Sequence, residues 1–128
     1  MNGLMMEEPL TLQSILRRAA RYFPEREIVS RLEDGSVHRT NYGELEVRVR
    51  KLICVLRELG VRPGDRVGTF AWNSYRHLEL YFAIPCMGAV LHTVNVRLQK
   101  HQLEYITAHA TLSRVPEALC CRWPRSVV

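Results

Sequence analysis

The sequence predicts an α/β fold, a parallel-rich sheet flanked by helices with a small antiparallel hairpin ahead of it. Three observations carry this. Apolar residues recur at helical spacing in four separate segments. Two short strand-like runs alternate with the later helices, and such alternation builds parallel sheets. An Asp34-Gly35 pair separates two extended runs, which is a strong short-range hairpin signal.

The elements follow in order. Residues Thr11 to Phe23 read as a helix: Leu12, Ile15, Leu16, Ala19, Ala20 and Phe23 form one stripe, and Arg17, Arg18 and Arg21 fill the other face. Thr11 can cap its start. Pro24 ends it, because a residue before proline resists helical angles. Glu27 to Leu32 and Ser36 to Thr40 are the hairpin strands, joined at Asp34-Gly35 by a turn expected to need positive φ at both central residues.

The strongest helix runs from Tyr42 to Leu59, with Leu45, Val49, Leu52, Ile53, Leu56 and Leu59 as its stripe. Asn41 stands at the N-cap with Glu44 three residues on, and Gly60 stops it. Burial of each large apolar side chain contributes roughly 1.5–3 kcal/mol, so this stripe demands a partner surface. Pro63-Gly64-Asp65 is a turn of type II character. Arg66 to Trp72 is a strand. Asn73-Ser74 caps a helix from Tyr75 to about Met87, which Pro85 kinks or ends. Gly88 breaks it, Ala89 to Asn95 is the next strand, and Gln99 to His109 is a last helix carrying Leu103 and Ile106. A βαβ unit therefore spans Arg66 to Asn95.

After Ala110 neither period survives. Residues 111–128 contain Pro116, Pro124, Cys120-Cys121 and scattered arginines. They read as an irregular tail that is non-native to the fold or disordered; a shifted reading frame would produce it, and a solvent-exposed native tail is the alternative. The domain proper is residues 1–110.

Composition sets the bounds. The 128 residues are 47% hydrophobic and 24% charged, ordinary for a globular domain with a core. The net charge of +5 is spread among carboxylates, as in Glu44, Glu46, Arg48, Arg50 and Lys51. A mixed-charge face argues against a nucleic-acid partner. The four cysteines make no Cys-x-x-Cys pair. Cys54 and Cys86 read as small core residues, and adjacent Cys120 and Cys121 are poorly placed for a mutual disulfide. Glu7 and Glu8 precede the first apolar run, against a secretory leader. No apolar run reaches membrane-spanning length.

Five motifs carry a family resemblance. They are Thr40-Asn41-Tyr42-Gly43-Glu44-Leu45, Leu59-Gly60-Val61-Arg62-Pro63-Gly64-Asp65-Arg66-Val67, Ala71-Trp72-Asn73-Ser74, Gly88-Ala89-Val90, and Val90 to Leu98. In this order from about Leu10 to Ala110, the chain resembles the N-terminal subdomain of AMP-forming acyl-CoA synthetases, within the adenylate-forming ligase superfamily. The medium- and long-chain fatty-acid members match best. Val96 departs from the proline usual after Asn95. The fold implied is an incomplete N-terminal subdomain of the adenylate-forming ligase fold.

The resemblance implies a two-step reaction of ATP, fatty acid and CoA, giving acyl-AMP with pyrophosphate and then acyl-CoA with AMP. It implies Mg²⁺ as well, in the cytoplasm or peripheral to a membrane, and it leaves a homo-oligomer open. The residues themselves lack the parts this chemistry needs. The seven glycines are dispersed, with no phosphate-cradling cluster. Lys51 and Lys100 lie in helix patterns that match no family lysine. His38, His77, His92, His101 and His109 read as surface or boundary imidazoles, with His92 buried and hydrogen-bonded. Ser74 and His77 suggest capping, not a nucleophile pair. Trp72 and Tyr75 read first as core and second as ligand-facing.

No catalytic, cofactor-binding or metal-ligating residue is therefore assigned. The expected function is that of a fatty-acyl-CoA synthetase fragment inactive alone. The alternative is a binding or regulatory module that associates with a full-length synthetase or other subunit. Either way, open strand edges and exposed apolar surface are expected.

Overall fold

The computed structural model of the chain describes residues 9–32 and 34–110. Eight elements follow one another: α1 (Leu12–Tyr22), β1 (Glu27–Arg31), β2 (Val37–Asn41), α2 (Tyr42–Glu58), β3 (Arg66–Thr69), α3 (Tyr75–Cys86), β4 (Val90–Thr93) and α4 (Lys100–His109). The α/β class is the one expected. The sheets are small: β1 pairs antiparallel with β2, and β3 pairs parallel with β4. The expected domain boundary at residue 110 and the reading of the tail lie outside the described residues.

Local chemistry explains most element ends. Thr11 accepts from the Ser14 N–H at 3.4 Å and Asn41 from the Glu44 N–H at 2.8 Å, so α1 and α2 both start on a side-chain cap. Ser74 occupies the N-cap of α3 but makes no side-chain cap bond, contrary to the expectation. The Gln99 N–H donates to Gln102 Oε1 at 3.1 Å at the start of α4.

α2 and α3 end alike. Past α2 the Val61 N–H donates to the Leu56 carbonyl (3.0 Å) and the Gly60 N–H to that of Arg57 (2.9 Å); past α3 the Ala89 N–H reaches Ile84 (3.1 Å) and the Gly88 N–H reaches Pro85 (3.0 Å). This is a Schellman closure at each end, and it needs left-handed glycines. Gly60 has φ 83° and Gly88 φ 85°. Pro85 therefore does not end α3: the helix runs one residue beyond it and stops at the glycine closure.

The hairpin closure is wider than a two-residue turn. Arg31 is still paired with Val37, the Leu32 N–H donates to the Ser36 carbonyl, and the Gly35 N–H donates to that of Leu32. Gly35 takes φ 82°, and Asp34 Oδ1 accepts from both the Ser36 N–H and its hydroxyl. Those bonds hold the Asp34 carboxyl below its usual pKa.

The core lies between α2, α3 and the parallel pair. Leu45, Val49, Leu56, Val61, Val67, Leu80, Ala83, Ile84, Met87 and Ala89 are buried there, with Leu16 from α1. The Arg62-Pro63-Gly64-Asp65 turn sets the parallel register. The Asp65 N–H closes on the Arg62 carbonyl, the Gly64 N–H donates to that of Gly88, and the Val90 N–H to that of Asp65. A Cβ on Gly88 would stand 3.3 Å from that of Pro63, so the two turns touch.

Several sequence expectations are corrected. The parallel strands are four residues each, shorter than Arg66–Trp72 and Ala89–Asn95, and each has one paired neighbour among the described residues. Leu59 of the α2 stripe is exposed, since the chain turns at Gly60 beside it. Cys54 is exposed as well and Cys86 half-buried, so only the second borders the core. Of the α1 stripe only Leu16 and Ala20 are buried.

Candidate functional site

Parallel strands gather chemistry at their carboxyl ends, where the loops leave the sheet. Here β3 leaves through Phe70-Ala71-Trp72-Asn73-Ser74 and β4 through Val94-Asn95-Val96-Arg97. Between them opens a cleft of about 410 Å³, lined by these two loops and by His77 and Tyr81 of α3.

Each wall has a local cause. The Val94 N–H donates to the Thr69 carbonyl and extends the ladder one bond past the strands. Asn95 Oδ1 accepts the Arg97 N–H at 2.9 Å, and this Asx turn swings the chain back over the cleft. The Arg97 guanidinium then sits 5.7 Å from the centre of the Trp72 ring, a cation–π contact across the mouth. Trp72 is 47% exposed, so it is not the core residue expected first.

His77 forms the floor. It is 6% exposed, its Nε2 lies 3.2 Å from Thr69 Oγ1, and its ring stands edge-on to Tyr81 at 5.3 Å. Burial lowers its pKa below the ordinary imidazole value, which favours the neutral ring. Ser74 and His77, three apart in sequence, are thus not a nucleophile pair: the partner of His77 is Thr69, on the neighbouring strand.

Behind the cleft a polar cluster fixes the hairpin against the helices. Arg48 on α2 meets Glu79 on α3 through two bonds, Nε to Oε1 at 2.5 Å and a second nitrogen to Oε2 at 3.3 Å. Glu79 is 8% exposed. The His38 ring of β2 stacks on Tyr75 at 3.8 Å, and the Arg48 and Arg76 guanidinia lie 5.7 and 5.1 Å from the same ring. Sequence reasoning missed this pair. The signal was available: Glu79 is the one carboxylate in the apolar run from Tyr75 to Cys86.

The remaining candidates disperse. Lys51 is exposed on α2. Lys100 opens α4, its Nζ 4.0 Å from Glu104. His101 is exposed on α4, and His109 stacks on Tyr105 at 5.6 Å. His92 corrects an expectation: its Nε2 is buried but has no hydrogen-bond partner among the described residues. It lines an apolar hollow of about 430 Å³ with Leu98, Tyr105 and Ile106.

The cleft has a mixed polar and aromatic lining. It offers an aromatic face, a guanidinium, two amides and a neutral imidazole, with no activated nucleophile beside a base. The described residues do not fit the groups an adenylating reaction requires. No three of His, Cys, Asp or Glu stand close enough to hold a metal ion among them. The left-handed glycines, Gly35, Gly60, Gly64 and Gly88, each serve a separate turn instead of a phosphate loop.

Comparison with known proteins places this architecture. The family model for AMP-binding enzymes matches residues 16–117. The chain is 55% identical over 106 residues to a long-chain-fatty-acid–CoA ligase of Thermus thermophilus, covering 83% of this chain and 20% of that one. It is 49% identical over 110 residues to a 3-methylmercaptopropionyl-CoA ligase of Ruegeria lacuscaerulensis, covering 86% and 20%. Its fold matches that of a Mycobacterium tuberculosis fatty acyl CoA synthetase with TM-score 0.68 at 24% identity, over 80% of this chain and 20% of that one. The chain belongs to the AMP-binding enzyme family. It spans about one fifth of the length of the curated relatives it matches.

Proposed function

We propose that this chain is the N-terminal part of a fatty-acyl-CoA synthetase and contributes scaffold to that reaction, not its reacting groups. The observation that carries the reading is the 55% identity to a long-chain-fatty-acid–CoA ligase over 106 residues, 83% of this chain. The reaction joins a fatty acid to CoA through an acyl-AMP, with ATP and Mg²⁺ as the activating pair. Its setting is the cytoplasm or the periphery of a membrane. The two similar relatives are named for different acids, a long-chain fatty acid and 3-methylmercaptopropionate.

The absence of a phosphate loop and of a metal-ligating cluster among the described residues supports inactivity in isolation. The purified 128-residue chain is expected to show no fatty-acid-dependent exchange of pyrophosphate into ATP. Exchange above a no-enzyme control, abolished by EDTA, would sink this reading.

A second reading is favoured by one feature. β3 and β4 pair only with each other, so both outer edges of that sheet are open among the described residues, and open edges invite pairing with another chain. The chain then acts as a binding module for a full-length synthetase. Co-elution of the two on size exclusion separates this reading from the first.

A further inference from the structure

The outer face of α1 combines two features that the fold itself does not use. Leu16 and Ala20 alone are buried in the helix. Ile15 is 57% exposed and Tyr22 62%, with Leu12 and the C-cap Phe23 also outside. At 3.6 residues per turn, Leu12, Ile15 and Tyr22 fall within about a quarter of the circumference, just beside the buried stripe. Arg18, Arg21 and Arg17 follow next around the helix, all exposed. The Arg18 and Arg21 guanidinia lie 5.5 and 5.8 Å from the Tyr22 ring, so cation and aromatic form one continuous surface.

The charge is one-sided. α1 contains three arginines and no carboxylate; the acids nearest in sequence, Glu7, Glu8 and Glu25, lie outside the helix. That decides between partners. A second copy meeting through this face would be isologous and would set arginines against arginines with no acid on the helix to separate them. An anionic lipid surface satisfies both features: the apolar side chains enter the headgroup boundary and the guanidinia meet phosphates.

We infer that α1 is a docking helix for an anionic phospholipid membrane. The inference deepens the fatty-acid-ligase reading, whose substrate partitions into such membranes, but its surface argument stands on α1 alone.

The test is flotation of the full chain with vesicles of phosphatidylcholine, with and without phosphatidylglycerol. No ligase activity enters the readout, so its failure is separate from failure of the functional reading. The chain is expected to float with the anionic vesicles only and to be released at high salt, where the Debye length falls toward about 3 Å. The Arg17→Gln, Arg18→Gln, Arg21→Gln triple variant should lower the partition coefficient roughly a hundredfold. A control removing Arg57, Arg62 and Lys100 in the same way should lower it at most a few-fold. On vesicle addition, the Tyr22→Trp variant should show a blue shift of its indole emission beyond that of the unmutated chain. Equal loss in both triple variants, equal binding to neutral vesicles, or no added blue shift in the Tyr22→Trp variant would each overturn the docking helix. So would a concentration-dependent dimer abolished by the α1 triple variant, since it would assign the face to a second copy.

Discussion

α3 and α4 follow consecutive strands of one parallel pair, yet α3 buries His77, Glu79, Leu80, Ala83 and Ile84 while α4 buries none of its residues. Both begin at a polar N-cap residue, and both are helical by pattern. The difference is what lies beneath. α3 crosses from β3 to β4 and is pressed against both α2 and the sheet. α4 leaves β4 and meets no further strand among the described residues. Its apolar side, Leu103 and Ile106, is half-covered and borders the hollow that leaves His92 Nε2 without a partner. Local sequence suffices to start and stop a helix; tertiary partners supply most of its stability.

Mutations sharpen that contrast. Ile84→Ala, at 0% exposure, should cost about 2–5 kcal/mol in urea unfolding. Ile106→Ala on α4 should cost under about 1 kcal/mol, because its side chain already borders open space. Similar costs at the two sites would erase the distinction. Next in size is the Arg48–Glu79 link. Arg48→Met strands a carboxylate that is 8% exposed and should cost about 1–2 kcal/mol, less than a fully buried pair because the Arg48 side chain is 49% exposed. Arg50→Met, which breaks the exposed bridge to Glu46, should cost no more than about 0.5 kcal/mol; a larger loss there than at Arg48 would contradict the assignment.

The smallest effect is a pH dependence specific to α3. The folded-state pKa of His77 is depressed by burial, so the unfolded chain binds the proton more readily. Stability from this group is complete above the unfolded imidazole pKa and falls as pH drops through it toward the folded value. Unfolding midpoints of the wild type and His77→Gln should therefore converge as pH falls below about 6.5. Parallel curves from about pH 8 to 5 would show that His77 carries no linked proton.

How much was legible follows from how local each cause is. The starts of α1 and α2, the Gly60 and Gly88 stops and the Pro63-Gly64 turn were readable because each depends on bonds between residues close in sequence. The hairpin was readable as a hairpin, but its wider closure depends on where Ser36 and Val37 pair across from Leu32 and Arg31. Motif order pointed to the family because spacing between such local signals is itself a sequence property. Trp72, Thr69–His77 and Arg48–Glu79 were not readable as neighbours. Their meeting depends on the parallel register of β3 and β4 and on the packing of α2 against α3.

By itself the sequence determined the α/β class, the element order and the turns that need left-handed glycine, since periodicity and backbone sterics act over a few residues. Only the tertiary structure decided which apolar stripe is covered. Leu56 and Ile84 vanish from solvent while Leu59, Ile15 and Tyr105 stay outside, because burial is shared between two surfaces and one chain segment specifies only its own half.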